Sequence, residues 1–448
     1  MRIVVIGGDA AGMSAASRAR KALPDSEVVV YEAGNFVSYS ACGIPFYVSG
    51  EVEEFDELLH YPMSKFRDER RIDVRVRSRV TKIMPERKQI VVLSDGKEST
   101  DKFDRLVIAT GARPRIPGIF EGKKLVYTMR NLDDLNTLMG NINGMKEVII
   151  VGAGYVGLEM AEAFASRGIH VAIFQRSGKV LRGLDGAFSE MIVEELTSKG
   201  VEVHLNSPVE AVDESSGEGI SVKSGSFRAS ADMVFLSVGV VPNSEVASGS
   251  GIALDSGGAI KVDRTMQTSI KGIYAAGDVA TTYERVGGME IYFPLATGSN
   301  RSGRIAGTNA AGGNIEYKGI TKTEVVKVFS LNVARTGLNE EEAMEAGFDP
   351  VSSTITASSR ASYYPGAEEL RIKLVGDRKT HRLLGCVMLG KEGVAKRIDV
   401  AAAALYAGLT VEDMTGIDYS YSPPFAPAWE PLGVAADVLV KKMAKENS

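Results

Sequence analysis

Cys42 is one of two cysteines in 448 residues, and it stands in Asn35-Phe-Val-Ser-Tyr-Ser-Ala-Cys-Gly-Ile-Pro45, just after the run Val28-Val-Val-Tyr-Glu32. Gly43 and Pro45 predict a turn or helix start at the thiol. A helix N-terminus favours an anion, so the spacing predicts a lowered pKa and a nucleophilic thiolate. Free cysteine is otherwise a small buried hydrophobe. Cys386 fits that description, lying in the apolar run Leu383-Leu-Gly-Cys-Val-Met-Leu389. The two cysteines form neither a disulfide framework nor a metal cluster, and no metal is expected. Thiol chemistry needs a proton donor. His60, His170, His204 and His381 lie in no motif and are read as non-catalytic, which leaves tyrosine hydroxyls.

The elements around Cys42 have a pattern of their own. Ile3-Val-Val-Ile6 reads as a buried strand, followed by Gly7-Gly-Asp9-Ala-Ala11-Gly12 and a helix to about Ala22. Glu32 closes the second strand. This is a dinucleotide-binding arrangement: a tight turn, a pyrophosphate on a helix N-terminus and an acid for the ribose. Asp9 departs from the glycine pattern. Its backbone must avoid a glycine-only conformation, and its carboxylate is placed to cap the helix. Glu51 to Arg71 reads as charged and helical, and Pro114 and Pro117 mark a linker after Ala109-Thr110-Gly111. The opening pattern then recurs. Glu147–Val151 leads into Gly152-Ala-Gly154-Tyr155-Val156-Gly157, a helix from about Leu158 to Arg167 carrying Glu159, and a strand at His170–Phe174. Where an acid would hold a free 2′-hydroxyl, Gln175 and Arg176 stand instead, a pair that tolerates a 2′-phosphate.

Two such units imply two dinucleotides, one of which can be a flavin. Val238-Gly239-Val-Val-Pro-Asn243 reads as a return linker, and Tyr274-Ala-Ala-Gly277-Asp278 ends a strand where ligands of such sheets bind. After about residue 320 no phosphate loop recurs. The length suits about three domains. A net charge of −5 gives no footprint for nucleic acid. Met1-Arg2 runs straight into a core strand, and no apolar run reaches membrane-spanning length. A cytoplasmic protein with reduced thiols is expected.

In order, G-G-D-A-A-G, the Cys42 stretch, A-T-G-A, G-A-G-Y-V-G with Glu159, V-G-V-V-P-N and Y-A-A-G-D resemble the flavin- and pyridine-nucleotide-dependent disulfide reductases along essentially the whole chain. Classical members carry C-x4-C; here Tyr47 takes the second position, which looks like the single-cysteine branch. S-Y-S-A-C-G-I-P-F, S-Y-Y-P-G (Ser362–Gly366) and Y-S-P-P-F (Tyr421–Phe425) most resemble coenzyme A disulfide reductase. The resemblance implies an α/β chain with two Rossmann-like domains and an α+β C-terminal dimerisation domain. Residues 1–112 and 244–320 would bind FAD, 113–243 NADPH or NADH, and 321–448 would form a homodimer. It implies that Tyr363 and Tyr421 reach the partner's active cysteine. Glu32, Ala109, Asp278 and Pro294-Leu295-Ala296 would surround FAD, and Ser14, Arg18, Lys21, Ser38, Arg70 and Asn300 coenzyme A. Trp429 stands where some relatives have a basic residue.

The expected activity is NAD(P)H-dependent reduction of coenzyme A disulfide through a Cys42–S–S–CoA mixed disulfide. Independently of the resemblance, Arg18 and Lys21 lie three apart on the first helix, one face, and suit phosphates. An NADH oxidase or peroxidase, or a coenzyme A persulfide or polysulfide reductase, would use the same cysteine. A non-redox flavoprotein would need no Cys42.

Overall fold

The computed structural model describes residues 1–215 and 219–446. Three five-stranded sheets organise it. In the first, all-parallel sheet the order is Ile273–Ala275, Arg105–Ile108, Arg2–Ile6, Glu27–Tyr31, Asp73–Arg75. The second repeats the design with Glu202–His204, His170–Phe174, Glu147–Val151, Met233–Leu236 and Val126–Tyr127. Their central strands are continuous Val/Ile/Leu runs because helices and loops cover both faces. The third sheet is antiparallel, in the order Glu324–Val328, Leu331–Gly337, Leu383–Gly390, Glu369–Asp377, Pro350–Ser358. Helices Val394–Ala407 and Pro431–Glu446 pack on it, and Cys386 is buried in that core.

Each glycine-rich turn is set by sterics. Gly7 has φ +106°, and a Cβ there would lie 2.1 Å from the Ala109 carbonyl oxygen; one on Gly12 would lie 1.9 Å from that of Gly7. Gly152 and Gly157 repeat this, with Ser237 in the place of Ala109. The first turn opens helix Ala10–Ala22, and the second opens Tyr155–Ser166, three residues earlier than the sequence suggests. Helix Ala296–Ala310 crosses the first helix closely. Cβ atoms on Gly303 and Gly307 would meet the Ala11 and Ala15 oxygens at 2.3 and 2.1 Å, so only glycine permits the approach. That contact seats Asn300 beside Ser14.

The two linkers run side by side. Ala112–Pro114 pairs antiparallel with Val240–Pro242, and Thr110 and Asn243 exchange side chain-to-carbonyl hydrogen bonds of 2.6 and 2.9 Å. Gly239, at φ +101°, turns the returning chain into this pairing. Glu51 to Arg71 is not the helix expected. It holds a 3₁₀ turn at Phe55–Leu58 and a π-helical turn at Lys65–Glu69, because Leu59 and His60 between them pair with Tyr39 and Ser38. No helix among the described residues is long and apolar enough to cross a membrane.

Candidate active site

Cys42 lies in a 3₁₀ turn, Ala41–Gly43, that leads into the six-residue helix Ile44–Ser49. Its sulfur opens to a cavity of about 560 Å³. Ser14, Arg18, Ser38, Arg70 and Asn300, which the resemblance implies for coenzyme A, line the same cavity, and so does Ala296, which it implies for FAD. The Ser14 hydroxyl donates to Asn300 Oδ1 at 2.7 Å, and Arg70 donates to Ser17 Oγ at 2.8 Å. Lys21 is not brought in; it is exposed in the last turn of its helix, one turn beyond Arg18.

The expected drop in the thiol's pKa is overturned. Burial pushes Cys42 above its ordinary value and Glu159 adds to this, while Arg130 opposes. Glu159 itself is pushed up to about 7 by burial and by Glu162. It stands on the second unit's helix, so a residue of that unit adds to what burial does to a thiol carried by the first.

A second cavity, of about 860 Å³, is lined by Gly7, Gly8, Asp9, Glu32, Ala109, Thr110, Gly111 and Arg130. Glu32 is held there by the Gly8 and Gly34 N–H groups, which donate to its two oxygens at 2.7 and 2.6 Å. The glycine cradle and an acid at the end of the second strand fit the diphosphate and ribose of FAD. Asp278 does not line this cavity; it meets it through Arg130, accepting from that guanidinium at 2.5 Å and from the Ser299 hydroxyl at 2.7 Å. Gly277 and Leu295 line a separate crevice of about 1000 Å³ with helix Val394–Ala407, and Pro294 lies in the turn before Leu295.

Arg130 was missed by sequence reasoning. It bonds Asp278, and the cluster holds it firmly protonated despite its burial. Only the helix-start signal Asn131–Asp134, a capping box, marks the spot. His60 was also set aside, yet it lines the Cys42 cavity and its Nε2 is 3.1 Å from Ser40 Oγ.

Asp9 keeps an extended backbone, φ −100° and ψ −156°, as the missing glycine requires. Its side chain makes no cap hydrogen bond, contrary to expectation, and its Oδ1 is buried without a partner. Burial pushes this carboxyl from 3.8 up to about 6, with Arg130 opposing. The folded protein therefore binds a proton that the unfolded chain releases, and stability falls as pH rises between those values. Asp9→Asn should stabilise the apoprotein at pH 7 by about 3 kcal/mol. Urea unfolding should show the difference growing from pH 4 to 7; a difference independent of pH would refute the assignment.

In the second unit Tyr155 donates to Glu324 at 2.8 Å, whereas Gly154 faces open space and Val156 is exposed. Gln175 Oε1 accepts from the Ala153 N–H at 3.2 Å, and Arg176 is exposed beside it. Tyr363 and Tyr421 are 76 % and 53 % exposed and hydrogen-bonded to each other, and neither lines the Cys42 cavity of its own chain.

Residues 1–303 match the pyridine nucleotide-disulphide oxidoreductase family, and 323–432 match the dimerisation domain of the same family. The chain belongs to the pyridine nucleotide-disulphide oxidoreductases. It is 39 % identical over 443 residues to the NAD(P)H sulfur oxidoreductase (CoA-dependent) of Pyrococcus furiosus, covering 98 % of this chain and 99 % of that one. It is 32 % identical over 430 residues to coenzyme A disulfide reductase of Staphylococcus aureus, covering 95 % and 96 %. An engineered water-forming NADPH oxidase with NADPH bound, whose parent is from Lactobacillus brevis, superposes with a TM-score of 0.96 at 26 % identity over all of both chains. The oxidoreductase is accordingly FAD-dependent, with NAD(P)H as its reductant.

Proposed function

We propose that this oxidoreductase reduces coenzyme A disulfide with NADPH through Cys42, working as a homodimer. The observation that carries the reading is the single cavity shared by the thiol, Arg18, Arg70, Ser14, Ser38 and Asn300. Bound FAD would accept hydride from the nicotinamide and return the electron pair to sulfur. The chain's residues handle sulfur and protons. Cys42 first loses its proton to solvent, against the cost its burial imposes, and the thiolate attacks one sulfur of the substrate; the S–S bond breaks and Cys42–S–S–CoA forms. The departing coenzyme A thiolate takes a proton from a tyrosine hydroxyl, Tyr421 or Tyr363 of the partner subunit, and the tyrosine regains one from solvent. The electron pair from NADPH then cleaves the mixed disulfide, which restores the Cys42 thiolate and releases the second thiol with a solvent proton.

Initial rates with coenzyme A disulfide, coenzyme A persulfide, oxygen, peroxide and a small phosphate-free disulfide test this. Coenzyme A disulfide should have the highest kcat/KM, and Arg18→Ala should raise its KM roughly tenfold through loss of one charge-assisted phosphate contact. The Pyrococcus furiosus relative's name favours a sulfur acceptor as the second reading. A rate with oxygen exceeding all disulfides would replace both with the oxidase reading.

The reductant follows from the second unit. The engineered oxidase carries Ala for Asp, Arg for Ala and Ser for Met at three consecutive positions, and Arg for Pro five residues on. At the same spacing this chain has Gln175, Arg176, Ser177 and Arg182. Three of the four residues are the same, and no carboxylate repels a 2′-phosphate. Gln175→Glu should shift the NADPH/NADH ratio of kcat/KM toward NADH by roughly tenfold, about the cost of one repelled charge. A wild type that uses NADH alone makes Arg176 a bystander.

A further inference from the structure

The wall of the Cys42 cavity opposite the first helix is a short antiparallel pairing. Tyr39 bridges Leu59, Ser40 N–H donates to the Leu58 oxygen at 2.7 Å, and His60 N–H donates to the Ser38 oxygen at 3.0 Å. This register holds the next residue, Tyr61, in fixed relation to the thiol while leaving its ring 41 % exposed in the same cavity. Buried Phe66 braces the ring edge-on, with centroids 6.0 Å apart at 82°. Lys65 Nζ lies 4.3 Å from the Tyr61 ring centre and the Arg70 guanidinium 5.1 Å from it. Among the described residues neither cation is paired with a carboxylate.

An exposed ring braced from beneath and flanked by unpaired cations is a surface for a flat, anionic group. Aromatic side chains stack nucleobases whatever their sequence, and adjacent Lys or Arg take the phosphates. We propose that Tyr61 is the stacking platform for the purine of a phosphorylated adenosine, with Lys65 and Arg70 on its phosphates. Resting on the coenzyme A reading above, this makes Tyr61 one of the residues that discriminate coenzyme A disulfide from pantetheine disulfide, which lacks the purine and its phosphates. In the free protein Lys65 caps the ring; the phosphates draw it aside and expose the face. Arg70 is held on Ser17, so the phosphates meet a fixed guanidinium.

The test uses the FAD-loaded enzyme and two readouts: inhibition by adenosine 3′,5′-bisphosphate competing with coenzyme A disulfide, and the ratio of kcat/KM for coenzyme A disulfide to that for pantetheine disulfide. Tyr61→Leu should raise the inhibition constant and lower the ratio, each roughly tenfold. Tyr61→Phe, which keeps the ring, should stay within about twofold of wild type. Flavin content and melting temperature establish that both variants fold. An unchanged constant and ratio in Tyr61→Leu overturn the platform, and so does an equal loss in Tyr61→Phe, which would mark a hydroxyl contact. If the wild type itself is not inhibited by the bisphosphate and shows no preference for the coenzyme A substrate, the coenzyme A reading falls, and the platform with it.

Discussion

Cys42→Ser gives a yellow, folded protein whose colour still bleaches with NADPH but whose disulfide reduction is at least about a thousandfold lower than wild type. The hydroxyl that replaces the thiol is close in size and leaves the cavity walls intact, so flavin binding and hydride acceptance persist. What is lost is the only sulfur able to attack the substrate: Cys386 is buried in the third sheet, with burial pushing its thiol far up. No second cysteine can store the electron pair. Mass spectrometry of the wild type as isolated should show coenzyme A disulfide-bonded to Cys42, and of the variant none. Wild-type reduction by Cys42→Ser would refute the mechanism.

Mixing Cys42→Ser chains with Tyr421→Phe chains should give activity above that of either parent. Each heterodimer would then carry one site with both the thiol and the tyrosine, and about half the wild-type rate. The reason lies in the exposed aromatic group at the edge of the third sheet. Tyr363, Tyr421, Phe425 and Trp429 are all more than half exposed, an apolar surface of the kind that marks an interface. Their loop is anchored: Arg397, itself buried, donates to Glu430 at 2.6 Å and to the Ser359 oxygen at 2.9 Å. The anchoring makes it a fixed feature of the fold. Heterodimers no more active than either parent would mean that each chain completes its own site or that Tyr421 carries no proton.

The parts of this molecule that could be read from residues alone are those governed by short-range sterics. Gly7 and Gly12 accept only a tight turn, whatever the rest of the chain does, and so do Gly152 and Gly157. Contacts created by chain crossings were invisible. Arg130 reaches Asp278 across 148 positions, and His60 meets Ser40 through a pairing that charged flanking residues disguised as a helix. The thiol's pKa was misjudged for the same reason. A local dipole could be inferred, but the burial of the cavity and the charge of Glu159 come from another part of the chain. Lys21 shows the converse, since spacing by three along a helix does not ensure a common target. Arg18 faces the cavity and Lys21 the solvent.

The adjacency of Ala112–Pro114 and Val240–Pro242 gives the chain a nested rather than tandem architecture. Everything between them leaves the first sheet and returns to it through neighbouring doors, so the inner unit resembles a cassette spliced into a loop. Because its ends meet, such a cassette can be accommodated without pulling the outer sheet apart. The ribbon clasped by Thr110 and Asn243 is its covalent joint, and Ile44, Val48 and Leu58 share one buried core with its Leu158 and Phe164, which seats it against the outer unit.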